Sequence, residues 1–129
     1  MKYLLDVNAL VALGIGSHTA HTTAEHWLFK AQSSGATFAS CSISELGFVR
    51  VSVQAGLLPD VATARHLLSR MKSSIHIELL PDAVGMDKLP SYVKTPAQLT
   101  VGHLLALAAS HGAKLATLDT GIPGAERIS

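Results

Sequence analysis

Two short apolar runs, Lys2 to Leu5 and Lys114 to Leu118, each stop at an aspartate, Asp6 and Asp119. That is the pattern of a strand buried on both faces whose C-terminal end opens into a site. The stretches between carry helical spacing instead. Ser17 to Gln32 reads as a helix capped by Ser17, with Ala20, Ala24, Trp27, Leu28 and Ala31 on one face and Gly35 beyond its end. Ala36 to Cys41 is a second strand. Ser42 or Ser44 then caps a helix through Glu45, Phe48, Val49 and Val53 to a stop at Gly56. Pro59 and Asp60 open a further helix through Leu67, Leu68 and Met71, and Ile75 to Leu80 is a third strand. Met86 to Tyr92 reads as a short helical turn broken at Pro90, and 93–99 as loop. Thr100 caps the most apolar helix, Val101 to His111, closed by Gly112. Strand and helix alternate throughout, which predicts an α/β fold: one parallel sheet with helices on both faces.

The chain has 129 residues, which suits one domain over 1–129. Hydrophobic residues make up 48% and charged residues 15%, enough apolar surface to exclude disorder. A net charge of +1 means that any grip on nucleic acid comes from local patches. Aromatic residues are 5%, too few for a platform on which bases stack. The single Cys41 cannot close an intramolecular disulfide. The opening apolar run is cut by Asp6 too early to be a signal peptide or a membrane span, so a cytoplasmic protein without membrane contact is expected.

Asp6 and Asp119 each follow a strand, and Glu45 follows the second strand closely, in a first helical turn. In an open parallel sheet such positions can converge on one crevice at the carboxyl ends of the strands. Three acids there repel one another unless a divalent cation neutralises them, which points to Mg²⁺ or Mn²⁺ and to hydrolysis of a phosphodiester by a bound water. Each acid taken alone has an equally good structural account, as a helix cap, a turn former or a complement to a helix dipole. Asn8 either orients the Asp6 carboxylate or satisfies a turn, and Ser44 and Thr100 are either caps or hydrogen-bond partners of the acids.

Three segments, in order, carry a family likeness: Leu4-Leu5-Asp6-Val7-Asn8-Ala9-Leu10 with His18, His21 and Trp27 after it; Ser44-Glu45-Leu46-Gly47-Phe48-Val49-Arg50; and Thr100 to Leu107 followed by His111-Gly112-Ala113 and Leu115-Ala116-Thr117-Leu118-Asp119. Over nearly its whole length the chain resembles the PIN domain, and most closely the VapC-type toxins of toxin–antitoxin pairs. The resemblance implies a metal-dependent endoribonuclease toxin with Asp6, Glu45 and Asp119 as family acids, an RNA substrate, a VapB-like antitoxin partner and a homodimer. One position departs. Where the family usually has an Asp after the capping Thr, this chain has Val101, which cannot ligate a metal and should weaken divalent binding and catalysis. The valine is either natural or acquired under selection against a toxic activity.

Of the remaining features, His18, His21, Glu25 and His26 lack the companion ligands a zinc site needs, and a hydrogen-bonded helix face accounts for them better. His103 and His111 read as structural. Arg50, on the helix of Glu45, is the candidate RNA contact. A binding module on the same fold, acting through antitoxin or RNA without cutting, is the competing function. A phosphatase using Asp6 as nucleophile lacks both the second acid, where Asn8 stands, and a suitably placed Lys.

Overall fold

The computed structural model describes residues 1–129. Five strands form one parallel sheet: β1 (Lys2–Leu5), β2 (Thr37–Ser40), β3 (Ile77–Leu79), β4 (Lys114–Thr117) and β5 (Glu126–Arg127), in the spatial order β3-β2-β1-β4-β5. The chain builds outward from β1 to β3 on one side and then crosses to β4 and β5 on the other. Strand order therefore reverses between β1 and β4, where connections leave to opposite sides and a crevice opens.

Five helices connect the strands: α1 (Val7–Gly14), α2 (His21–Ser33), α3 (Ser42–Gln54), α4 (Val61–Ile75) and α5 (Leu99–Ser110). Successive strand residues point to opposite faces, so each strand feeds two cores. Leu5, Phe38, Ile77 and Ala116 pack with Leu10, Val11, Trp27, Phe48, Leu68 and Met71 of α1 to α4. Leu4, Ala39 and Leu115 pack on the other face with Leu104, Leu107 and Ala108 of α5. Trp27 docks α2 edge-on, its ring 5.2 Å from that of Tyr3 and 5.9 Å from that of Phe38. The expected α/β sheet covered on both faces is thus present. No helix is long and apolar enough to cross a membrane.

Several local expectations change. The helix α1, for which no element was expected, packs against α2, α3 and the sheet, and its central residues Ala9, Leu10, Val11 and Ala12 are all buried. Ser17 does not cap α2. Residues 15–20 form a pinned turn, in which the His18 amide donates to the Ile15 carbonyl, the Ala20 amide to His18 Nδ1, and His21 Nδ1 to the Ala12 carbonyl at 2.8 Å, so the helix starts at His21. Cys41 is the N-cap of α3, and Ser44, at the third helical position, reaches back to accept from the Cys41 amide at 3.0 Å. Thr100 is likewise no cap. The segment expected as loop holds a 3₁₀ turn, Pro96–Gln98, where the Gln98 side-chain oxygen accepts from the amides of Lys94 and Thr95, and Thr100 lies inside α5. β5 spans two residues, too few to leave a periodic pattern.

Candidate active-site cleft

Asp6 is held at the switch between β1 and β4 from both directions. Its amide donates to the Ala116 carbonyl at 3.0 Å, ending the β1–β4 ladder, while its carboxylate caps α1 by accepting from the Val7 amide at 2.7 Å. The second carboxylate oxygen accepts from the hydroxyl of Thr117, the last residue of β4, at 2.8 Å. Thr117 is fully buried, and its oxygen also accepts from Asn8 Nδ2 at 3.2 Å and from the Asp119 amide at 3.1 Å. Asn8 Oδ1 in turn accepts from the Leu118 amide at 3.1 Å, which fixes the orientation of the Asn8 amide group. Thr117 and Asn8 together lock the loop after β4 onto the start of α1.

A cleft of about 400 Å³ opens over this network, and Asp6, Asn8, His18, Val51, Thr100, Val101 and Asp119 are among its lining residues. Asp6 is 7% exposed, whereas Asp119 is exposed. Burial drives the Asp6 carboxyl above its ordinary range, the hydrogen bonds from Thr117 and Val7 pull the other way, and the neighbouring charge of Asp119 adds to the rise. Two carboxylates, one dry and one wet, thus line the same cleft, near enough for the charge of Asp119 to be felt at Asp6.

Glu45 does not join them. It lines the adjoining crevice between α3 and α4, where Lys72 Nζ lies 2.7 Å from Oε2 and the Ser40 hydroxyl donates to the same oxygen. The reason lies in the partners it meets. Glu45 stands in the first turn after β2, on the far side of β1 from β4, beside the last residue of its own strand and across from α4. No cluster of three or more His, Cys, Asp or Glu side chains is arranged to hold a metal ion. Arg50 also faces the α3–α4 groove rather than the cleft, and Ser44 is buried within the start of α3. Val101 lines the cleft where the family likeness calls for an acid. The His21–Glu25 pair, 3.2 Å apart, belongs to the face of α2, and His21 is already bonded to Ala12.

The donor set still suits a hard cation of low protein coordination. Magnesium is commonly held by one or two carboxylates, with water and substrate oxygens completing the shell, and Asp6 and Asp119 offer two carboxylates in one cleft. The remaining oxygen nearby, on Asn8, is committed to Leu118.

Among curated proteins, ribonuclease VapC38 of Mycobacterium tuberculosis is 39% identical over 124 residues, covering 92% of this chain and 86% of the relative. The chain belongs to the VapC ribonuclease family. Ribonuclease VapC29 of the same organism is 35% identical over 95% of this chain and 89% of the relative, and ribonuclease VapC44 is 34% identical over 98% and 96%. Among solved structures, the VapBC2 complex of Rickettsia felis, bound to a DNA fragment from its promoter, matches with a TM-score of 0.61 at 17% identity. That match covers 98% of this chain and 97% of the other and supports the fold. No family profile matches the chain. VapC membership accounts for the PIN-type sheet order and for an acid at the end of each strand flanking the switch.

Sequence reasoning overlooked Thr117 as the hub of the network and His18 as a cleft residue. A signal for Thr117 was present: a hydroxyl two residues before Asp119 at the end of an otherwise apolar strand. His18 enters the cleft through the fold of the 15–20 turn, which leaves no sequence period.

Proposed function

We propose that this chain is a Mg²⁺- or Mn²⁺-dependent endoribonuclease toxin of a VapBC-type pair, acting in the cytoplasm, forming a homodimer and held in check by a VapB-like antitoxin. The observation that carries this reading is the pairing of Asp6 and Asp119 in one cleft at the reversal of strand order. Asp6 and Asp119 would hold the cation, which supplies a water acidic enough to attack a phosphodiester. Thr117 and Asn8 keep the Asp6 carboxylate aimed into the cleft, and the buried floor excludes competing solvent from it. The relatives named ribonuclease VapC support the ribonuclease activity, and the VapBC2 neighbour supports the antitoxin. Exposed apolar side chains, among them Phe29 at 72% and Leu46 at 59%, offer surface for a partner or a second copy.

A reduced activity is part of the proposal. Val101 brings no oxygen to the cleft, and Glu45 is engaged by Lys72, so the cation rests on fewer carboxylates than the family acids provide. These two features also favour the second reading, a VapC-fold module that binds antitoxin or RNA with little cleavage. Calorimetric titration with Mn²⁺ separates the two. The enzyme reading expects saturable binding that Asp6→Asn abolishes, and RNA cleavage that rises at least tenfold in Val101→Asp. Absence of Mn²⁺ binding at millimolar metal in both the parent and Val101→Asp would leave only the binding module.

A further inference from the structure

We propose that His18 supplies the hydrogen-bond donor that seats an RNA phosphate over the acid pair, an assignment that rests on the ribonuclease reading above. A phosphodiester entering this cleft meets repulsion from Asp6 and Asp119 and needs a donor elsewhere in the lining. The cleft offers few. Four of its lining residues are valines, none is Lys or Arg, and Asn8 Nδ2 already gives one of its two hydrogens to Thr117. The Thr100 hydroxyl is a second side-chain donor of the cleft, on an exposed residue with nothing to fix the direction of its hydrogen. His18 is the one whose donor is fixed by the backbone. The Ala20 amide lies 3.0 Å from His18 Nδ1, and a peptide N–H can only donate, so Nδ1 is the acceptor. In the neutral ring the hydrogen therefore sits on Nε2, which has no bond within the chain and belongs to a residue lining the cleft.

The ring is also preorganised. The His18 amide donates to Ile15 and the His18 carbonyl accepts from His21, both at 3.0 Å, while His21 ties the same turn to Ala12 of α1 at 2.8 Å. Holding a donor in place before the ligand arrives removes most of the ordering cost from binding. The two histidines of this turn thus divide the work: His21 anchors the turn, and His18 presents Nε2–H to the substrate.

The test is fluorescence anisotropy with a short labelled single-stranded RNA, in calcium in place of magnesium, on the full chain. His18→Leu should weaken binding about tenfold, as expected for loss of a hydrogen bond to a charged group. His18→Gln, whose side-chain amide places an N–H near the position of Nε2–H, should recover most of that loss. Because His18→Leu also strips the Ala20 amide of its acceptor, the imidazole Cε1–H resonance of His18 in the unmodified chain gives a second measurement, and it should shift on saturation with RNA. Unchanged affinity in a folded His18→Leu protein, or an imidazole resonance unmoved by RNA, overturns the assignment while leaving the ribonuclease reading standing. A parent chain that binds no RNA overturns both.

Discussion

Thr117 illustrates how one buried hydroxyl governs the chemistry of its neighbours. It has a single hydrogen, which goes to Asp6, and its lone pairs take hydrogens from Asn8 and from the Asp119 backbone. Replacing it with the isosteric Val removes no volume but leaves a carboxylate oxygen, an amide and a peptide N–H without their partner. We expect Thr117→Val to cost about 1–3 kcal/mol in chemical denaturation and to lower Mn²⁺ affinity, with Thr117→Ser restoring both. If Thr117→Val bound Mn²⁺ as tightly as the parent, Asp6 would owe its orientation to the α1 cap alone. At this scale the acids Asp6 and Asp119 were legible in the sequence because each terminates an apolar run. Glu45 was equally legible as an acid, yet nothing in its local sequence announced Lys72, which comes from another helix 27 positions later.

The helices α1 and α3 meet at Gly47. A Cβ built there would stand 2.5 Å from Val7 Cγ2, and Val7 directly follows Asp6. Val7 is β-branched and cannot swing its methyl aside cheaply, so the absence of a side chain at 47 is what lets α3 approach the start of α1. Gly47→Ala gains helix propensity but forces the two helices apart. The expected net outcome is a loss of about 1–3 kcal/mol in a denaturation curve, with Mn²⁺ binding weakened as Val7 carries Asp6 out of register. An unchanged or raised stability would mean that the α1–α3 contact relaxes freely. The start of α4, with its Asp60 cap accepting from Thr63 at 2.7 Å, could be read from the sequence, but its end could not: Ile75, expected to open the third strand, is the last residue of the helix. The helix α1 could not be read at all, because its eight residues are a nearly continuous apolar run too short to tell a buried helix from a strand.

Across the whole molecule, two aspartates should pull stability in opposite directions as pH changes. Asp6 has a carboxyl raised by burial, so the fold favours its protonated form. That preference is complete below the ordinary carboxylate range, and a penalty grows as pH rises through the folded value. Asp6→Asn removes that pH-dependent penalty along with the acceptor of the Thr117 hydroxyl, so its melting temperature relative to the parent should be highest near neutral pH and fall in acid. Asp82 is the reverse case. Desolvation pushes it up, but the bonds from His103 Nε2 at 2.5 Å and the Val84 amide, with the charges of His103 and His111, outweigh that and hold it below the usual range. Its contribution is present above the ordinary carboxylate range and is lost as pH falls through the folded value, so Asp82→Asn should destabilise at neutral pH, and by less than 1 kcal/mol given its partial exposure. Thermal melts of both variants from acid to neutral pH check the pair, and parallel curves would refute it. The sequence by itself determined the alternation of strands and helices, the resemblance to VapC toxins and the valine at 101, because apolar periodicity and residue identity are local properties. Tertiary structure alone decided which acids share a cleft: β1 and β4 pair side by side and bring Asp6 and Asp119 together, while Glu45 meets Lys72 of α4. The same long-range closure brought Thr117 to Asp6, as contacts between segments distant in the chain are set by packing rather than by spacing.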